Sequence, residues 1–155
     1  MKHSILAVAL VACAFLSGCA TYQPGSVSTA EQLKQFQPVP DKASIYVCRI
    51  PAVLSARGVK TVVYLDNEAI GTLRQNSFVH ALVEPGKHGV LLRHDGMSSG
   101  AGGFMPFEVA AGEVRFFWVG VTGKGWGVLT VDNFDTLADA RECVADAEYS
   151  VPTAQ

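Results

Sequence analysis

Val63-Tyr64-Leu65-Asp66-Asn67-Glu68-Ala69-Ile70-Gly71-Thr72-Leu73 sets two short β-prone runs on either side of Asp-Asn, a pair of residues that tolerate positive φ. The stretch predicts two antiparallel strands joined by a tight hairpin turn at 66–67. The same grammar extends in both directions, with a dominant period of two and turn residues at the boundaries, so strands are expected at 43–50, 60–65, 68–73, 77–83, 88–94, 104–109, 114–121 and 128–131. Glu84-Pro85-Gly86-Lys87 places Pro and Gly where a type II turn takes them, and Ala110-Ala111-Gly112-Glu113 reads as a further turn. No amphipathic segment of helical length separates these strands, which argues against a parallel α/β sheet. The expected fold is mainly β, an antiparallel β-sandwich or small barrel over residues 42–150, with one C-terminal α-helix packed on it.

Composition agrees with one folded domain. Lys and Arg total 12 against 14 for Asp and Glu, a net charge of −2, and a balance of this sign argues against a protein built to displace counterions from DNA or RNA. Hydrophobic residues make up 49% of the chain and charged residues 17%, which excludes wholesale disorder.

The N-terminus carries an export signature. Met1-Lys2-His3 supplies a basic start, residues 5–16 are twelve consecutive apolar residues, and Leu16-Ser17-Gly18-Cys19 follows. Twelve residues are too few for a membrane-spanning helix, which needs about 20. The four residues ending at Cys19 resemble the lipobox of bacterial lipoproteins: Leu16 suits an apolar recognition pocket, Ser17 and Gly18 a peptidase cleft, and Cys19 offers the thiol that accepts a diacylglyceryl group. The resemblance implies a signal peptide over 1–18, lipidation of Cys19 and a membrane partner in the form of bilayer lipid. Several acyl chains at about 0.8 kcal/mol per buried methylene give stable anchoring where one gives only marginal binding. Ala20 stands where Asp would signal inner-membrane retention, so the expected location is the outer membrane, with the domain facing the periplasm. Residues 19–41, with Pro24, Gly25, Pro38 and Pro40, are expected to form a lipidated N-terminus and flexible tether able to reach on the order of 60 Å when extended. A short helix inside it is suggested by Ser28 and Glu31 at capping-box spacing, with Leu33 and Phe36 on one face.

With Cys13 removed and Cys19 lipidated, Cys48 and Cys143 are the two thiols left in an oxidising compartment, an even remainder that predicts one disulfide. Two separately buried thiols are the other reading; two thiols without a nearby His pair fall short of a zinc site, and no metal is expected. The C-terminal helix, capped at Asp132, Asn133 or Asp135 and running to about Glu148, would align Leu137, Ala140, Val144 and Ala147, with Cys143 at the edge of that face and a tail over 151–155. In the first strand Ile45 and Val47 point one way and Tyr46 and Cys48 the other. Laying the helix over the second face brings Cys48 and Cys143 together.

The hairpin at 63–73, then Val83-Glu84-Pro85-Gly86-Lys87-His88, then Ala110-Ala111-Gly112-Glu113-Val114, resembles the pattern of bacterial lipoproteins grouped as domain of unknown function 2846, similar in style to PEGA domains. The likeness spans about 43–121, with Asn67 where Gly is usual and an extra loop at 95–103. It implies a β-sandwich envelope lipoprotein and carries over no catalytic residues.

His80, His88 and His94 invite a metal or acid–base reading, but His88 and His94 lie six residues apart, roughly 20 Å along a strand, and polar strand positions or turn hydrogen bonds account for them. The glycine-rich stretch 96–103 lacks the Lys-Ser/Thr ending of a phosphate loop. Phe116, Phe117 and Trp118 read as both faces of a buried strand. Lys124 and Trp126, in Gly123-Lys124-Gly125-Trp126-Gly127, mark a loop whose Trp either folds over the sandwich or meets a partner. No nucleophile signature and no paired catalytic carboxylates can be placed. The expected role is a non-enzymatic, lipid-anchored periplasmic interaction domain, without a small-molecule cofactor, binding an envelope protein or cell-wall component. The alternatives are a structural or assembly accessory of an outer-membrane or secretion complex, or a cell-wall hydrolase or its inhibitor.

Overall fold

A computed structural model describes residues 22–51, 57–95, 101–122 and 127–153. Along the chain run β1 (Gln23–Pro24), α1 (Val27–Leu33), β2 (Ala43–Arg49), β3 (Thr61–Leu65), β4 (Glu68–Leu73), β5 (Ser77–Val83), β6 (Gly86–His94), β7 (Ala101–Val109), β8 (Val114–Thr122), β9 (Val128–Asn133), α2 (Leu137–Ala145) and β10 (Glu148–Val151). They form two packed sheets, a six-stranded one in the order β1-β10-β5-β2-β8-β9 and a four-stranded one in the order β4-β3-β6-β7. The expected mainly-β sandwich with a C-terminal helix is what the chain forms.

The local turns follow from residue type. Asp66 and Asn67 sit at φ 50° and 73°, the conformation a two-residue hairpin turn demands, and Gly112 at φ 76° turns the chain between β7 and β8. The Glu113 carboxylate closes that turn by accepting the Ala110 amide at 2.9 Å.

The first departure from expectation is the pairing of the six-stranded sheet, which is mixed rather than antiparallel. β2 pairs β8 in parallel, Ser44 facing Val114 through Arg49 facing Val119, and β10 pairs β5 in parallel. The cause lies in β2, whose seven residues are all buried. Ile45 and Val47 point into the core between the sheets, while Tyr46 and Cys48 point into a second apolar layer outside. A strand buried on both faces takes the centre of a sheet, and both of its edges must then be paired, one by β5 and the other by β8.

The second departure is the N-terminal arm, the segment expected as a free tether. From Gln23 onward it is docked: Gln23 and Pro24 pair Val151 and Ser150 of β10, and α1 follows, capped by Ser26, whose hydroxyl accepts the Thr29 amide at 3.1 Å. Leu33 and Phe36 then pack on the outer layer, Phe36 edge-on to Tyr46 at 5.4 Å and to Phe116 at 5.3 Å between ring centres. The Tyr46 hydroxyl donates to the Leu33 carbonyl at 2.8 Å, and Lys34 Nζ donates to the Ala145 carbonyl at 2.7 Å. Burying aromatic area of this size contributes about 1.5 to 3 kcal/mol per side chain, enough to hold a segment that lacks a core of its own.

The third is at the C-terminus. α2 is capped one position beyond the expected caps, by Thr136, whose hydroxyl accepts the Asp139 amide and donates to its carboxylate, because residues through Asn133 belong to β9. The helix ends at Ala145, and Glu148–Val151, expected as helix end and tail, forms β10 between β5 and β1.

Both open sides of the sandwich are closed. Ser150 Oγ donates to the Thr72 carbonyl at 2.8 Å, beside Gly71, where a Cβ would meet Val79 at 2.6 Å. On the other side a Cβ at Gly103 would lie 2.9 Å from the Val131 amide nitrogen, so the absence of a side chain lets β7 approach β9.

Candidate functional site

Cys48 and Cys143 are joined in a disulfide with their Cα atoms 6.3 Å apart, tying α2 to the outer face of β2. Cys19, the signal segment, Lys124 and Trp126 lie outside the described residues, as do 96–100 of the glycine-rich stretch. Phe117 is fully buried in the core and Phe116 lies in the outer layer, so the strand occupies both faces as its pattern predicts. The three histidines do not share a site by strand pairing: His80 is on β5 of the larger sheet, His88 and His94 on β6 of the smaller. His88 Nδ1 lies 2.5 Å from Asp66 Oδ2 and its Nε2 lies 2.8 Å from the Glu84 carbonyl, a clasp between two turns. Tyr46 and His80 are cross-strand partners with ring centres 4.6 Å apart, and burial pushes the His80 pKa down to about 4. Among the described residues no group of three or more His, Cys, Asp or Glu side chains could hold a metal ion. None of the described helices is long and apolar enough to cross a membrane.

A concave surface among the described residues runs along α2. One cavity of about 450 Å³ is lined by Ile50, Trp118, Asp132, Asn133, Phe134, Asp135 and Asp139. A second of about 410 Å³ shares Ile50, Phe134 and Asp139 with it and adds Arg49, Glu142, Cys143 and Asp146 among its lining. The shared residues make the two one groove, bounded by the end of β2, the β9–α2 connection and the exposed side of α2.

Each part of the groove follows from local structure. Trp118 projects from the outer face of β8, its indole N–H donating to the Asn133 carbonyl at 2.8 Å, which fixes the ring against the β9–α2 connection. Asp139, Glu142 and Asp146, the last at the C-cap, recur at spacings of three and four, so they form one carboxylate stripe along the side of α2 turned from the apolar layer, and Asp135 lines the groove from the connection before the Thr136 cap. Arg49, on β2, is 1% exposed and donates from Nη1 to the Val59 carbonyl; burial lowers its pKa. Two aromatic rings and a row of carboxylates give a surface that suits a cationic, partly apolar segment.

The sequence singled out Cys143, the aromatic run at 116–118 and, as helix caps only, Asp132, Asn133 and Asp135; it did not point to the groove they line. The acidic stripe is visible in the spacing of α2, whereas the contributions of Ile50 and Arg49 depend on where β2 ends against α2. No family model matches the chain, and no curated protein matches it.

Proposed function

We propose that this chain is a non-enzymatic interaction domain of the bacterial envelope, anchored through a lipidated Cys19 to the outer membrane and facing the periplasm. The observation that carries the interaction reading is the continuous groove along α2, where Trp118 and Phe134 lie beside Asp132, Asp135, Asp139 and Glu142. Two of its carboxylates already serve the fold: Asp139 accepts from the Thr136 hydroxyl, and Asp132 accepts the Asn133 amide at 2.7 Å. This favours a recognition surface over paired acids held for general acid–base work. The partner is a Lys- or Arg-bearing segment of an envelope protein.

Charge reversal tests this. Asp135→Lys, in the connection before the Thr136 cap, with Glu142→Lys, on the exposed side of α2, should leave the melting temperature within a few degrees of the parent. The same pair should abolish the partner recovered by mild crosslinking of envelopes, and recovery by the parent should fall as salt is raised. Equal recovery by parent and variant would reject the groove as the site.

A further inference from the structure

We infer that the β1–α1 edge of the sandwich is apposed to the phospholipid headgroup surface, so that the domain rests on the bilayer instead of standing off it. The inference rests on the proposed lipidation of Cys19 and adds to it where the folded chain begins. Three residues, Ala20, Thr21 and Tyr22, separate Cys19 from Gln23, the first residue of the sheet. A chain covers at most about 3.6 Å per residue, so the Cα of Gln23 lies within about 14 Å of the lipid-bearing Cα, which is itself held at the interface.

The docked arm leaves no slack elsewhere. Gln23 and Pro24 are paired to β10, the Gly25 amide donates to the Tyr149 carbonyl at 2.8 Å, and the Arg74 guanidinium lies 4.1 Å over the Tyr22 ring while pairing with Glu148. What this edge offers outward also fits headgroups. Gln23, Ser26, Val27, Ser28, Thr29 and Gln32 are exposed, with Glu31 as the single carboxylate between Tyr22 and Lys34. Val27, an apolar side chain, is 75% exposed. Asp132, Asp135, Asp139, Glu142 and Asp146 lie away from this edge, along β9, the β9–α2 connection and α2, and Glu148 on the neighbouring β10 is paired with Arg74. β9 is the opposite edge of the same sheet, five strand spacings from β1, or about 24 Å at the usual interval. Val128 there is 64% exposed and serves as the distant reference.

The test uses full-length lipidated protein in vesicles of phosphatidylethanolamine and phosphatidylglycerol containing a nickel-chelating lipid, with Cys48 and Cys143 kept oxidised. A nitroxide attached at Val27→Cys should relax several-fold faster than one at Val128→Cys, and Ser28→Cys repeats the measurement from the neighbouring position. Inserting a Gly/Ser linker between Thr21 and Tyr22 should bring the Val27 signal down to the Val128 level. Equal relaxation at the two edges, with an acyl mass present on Cys19, overturns the apposition and leaves the anchor standing. Absence of any acyl mass on Cys19 overturns the anchor and this inference with it.

Discussion

At His88 both ring nitrogens meet acceptors, the Asp66 carboxylate at 2.5 Å and the Glu84 carbonyl at 2.8 Å, an arrangement that suits the doubly protonated ring. The hydrogen bond that the ring donates to Asp66 is the main cause that raises its pKa above the ordinary 6.5, against partial burial, with the Glu84 carbonyl adding to the rise. His80 is the opposite case: burial beside Tyr46 drives it down to about 4, and its buried Nε2 has no hydrogen-bond partner among the described residues. The two therefore respond to protons with opposite sign. The His88 clasp is fully present below about pH 6.5 and lost as pH rises through its raised pKa, so the melting-temperature gap between parent and His88→Gln should narrow as pH increases. His80 contributes above pH 6.5 and is lost as pH falls toward 4, a loss on the order of 3 kcal/mol. His80→Phe keeps the ring contact and should flatten the decline in melting temperature over that acid range. A gap independent of pH in either series would show that the ring's proton is not what the fold senses.

Among elements, the outer layer is held by two crosslinks of different kinds, the Cys48–Cys143 disulfide under α2 and the Tyr46 hydroxyl under the end of α1. The disulfide spans 95 positions, for which chain entropy gives about 4 to 5 kcal/mol. Urea unfolding of the oxidised protein against Cys48→Ala with Cys143→Ala should show a loss of that order. A difference under about 1 kcal/mol would mean that apolar packing of Ala140 and Val144 alone seats the helix. This docking was legible before the structure because both periods are local: Cys48 follows from the two-residue alternation of β2, Cys143 from the helical stripe. The Asp66-Asn67 turn was legible for the same reason. The parallel partners of β2 and β5 were not, since nothing between residues 44 and 114 records which edge is left to fill. Nor was the docked arm, because its Pro and Gly content reads as linker until Phe36 is seen seated among Tyr46 and Phe116. Of the groove, the acidic stripe of α2 could be read from spacing, whereas Ile50 and Arg49 join it only through the tertiary placement of β2.

For the whole molecule, closure of the sandwich depends on backbones that approach without side chains between them. Gly71, at φ 154°, faces Val79 of the opposite sheet where a Cβ would stand 2.6 Å from a methyl carbon, next to the Ser150–Thr72 hydrogen bond. Gly71→Ala should therefore cost about 2 to 4 kcal/mol through overpacking and backbone strain, read as a fall in melting temperature. Retained stability would mean that β4 can swing outward without breaking the seam. With the lipid at the β1 edge, such a closed body would hold β9, the opposite edge of the same sheet, away from the bilayer.

The two-residue ladder between β1 and β10 has a mechanical meaning. It has two residue pairs and lies at the point where the chain would enter from its anchor, so a pull on Cys19 would meet this ladder before the rest of the fold. The arm would peel before the buried strand β2 or the Cys48–Cys143 crosslink felt the load. The residues so freed, 23–40, would pay out about 60 Å of chain while the sandwich stayed folded. With Cys19 as the proposed anchor, the arm would be a stowed tether, short at rest and lengthened by tension.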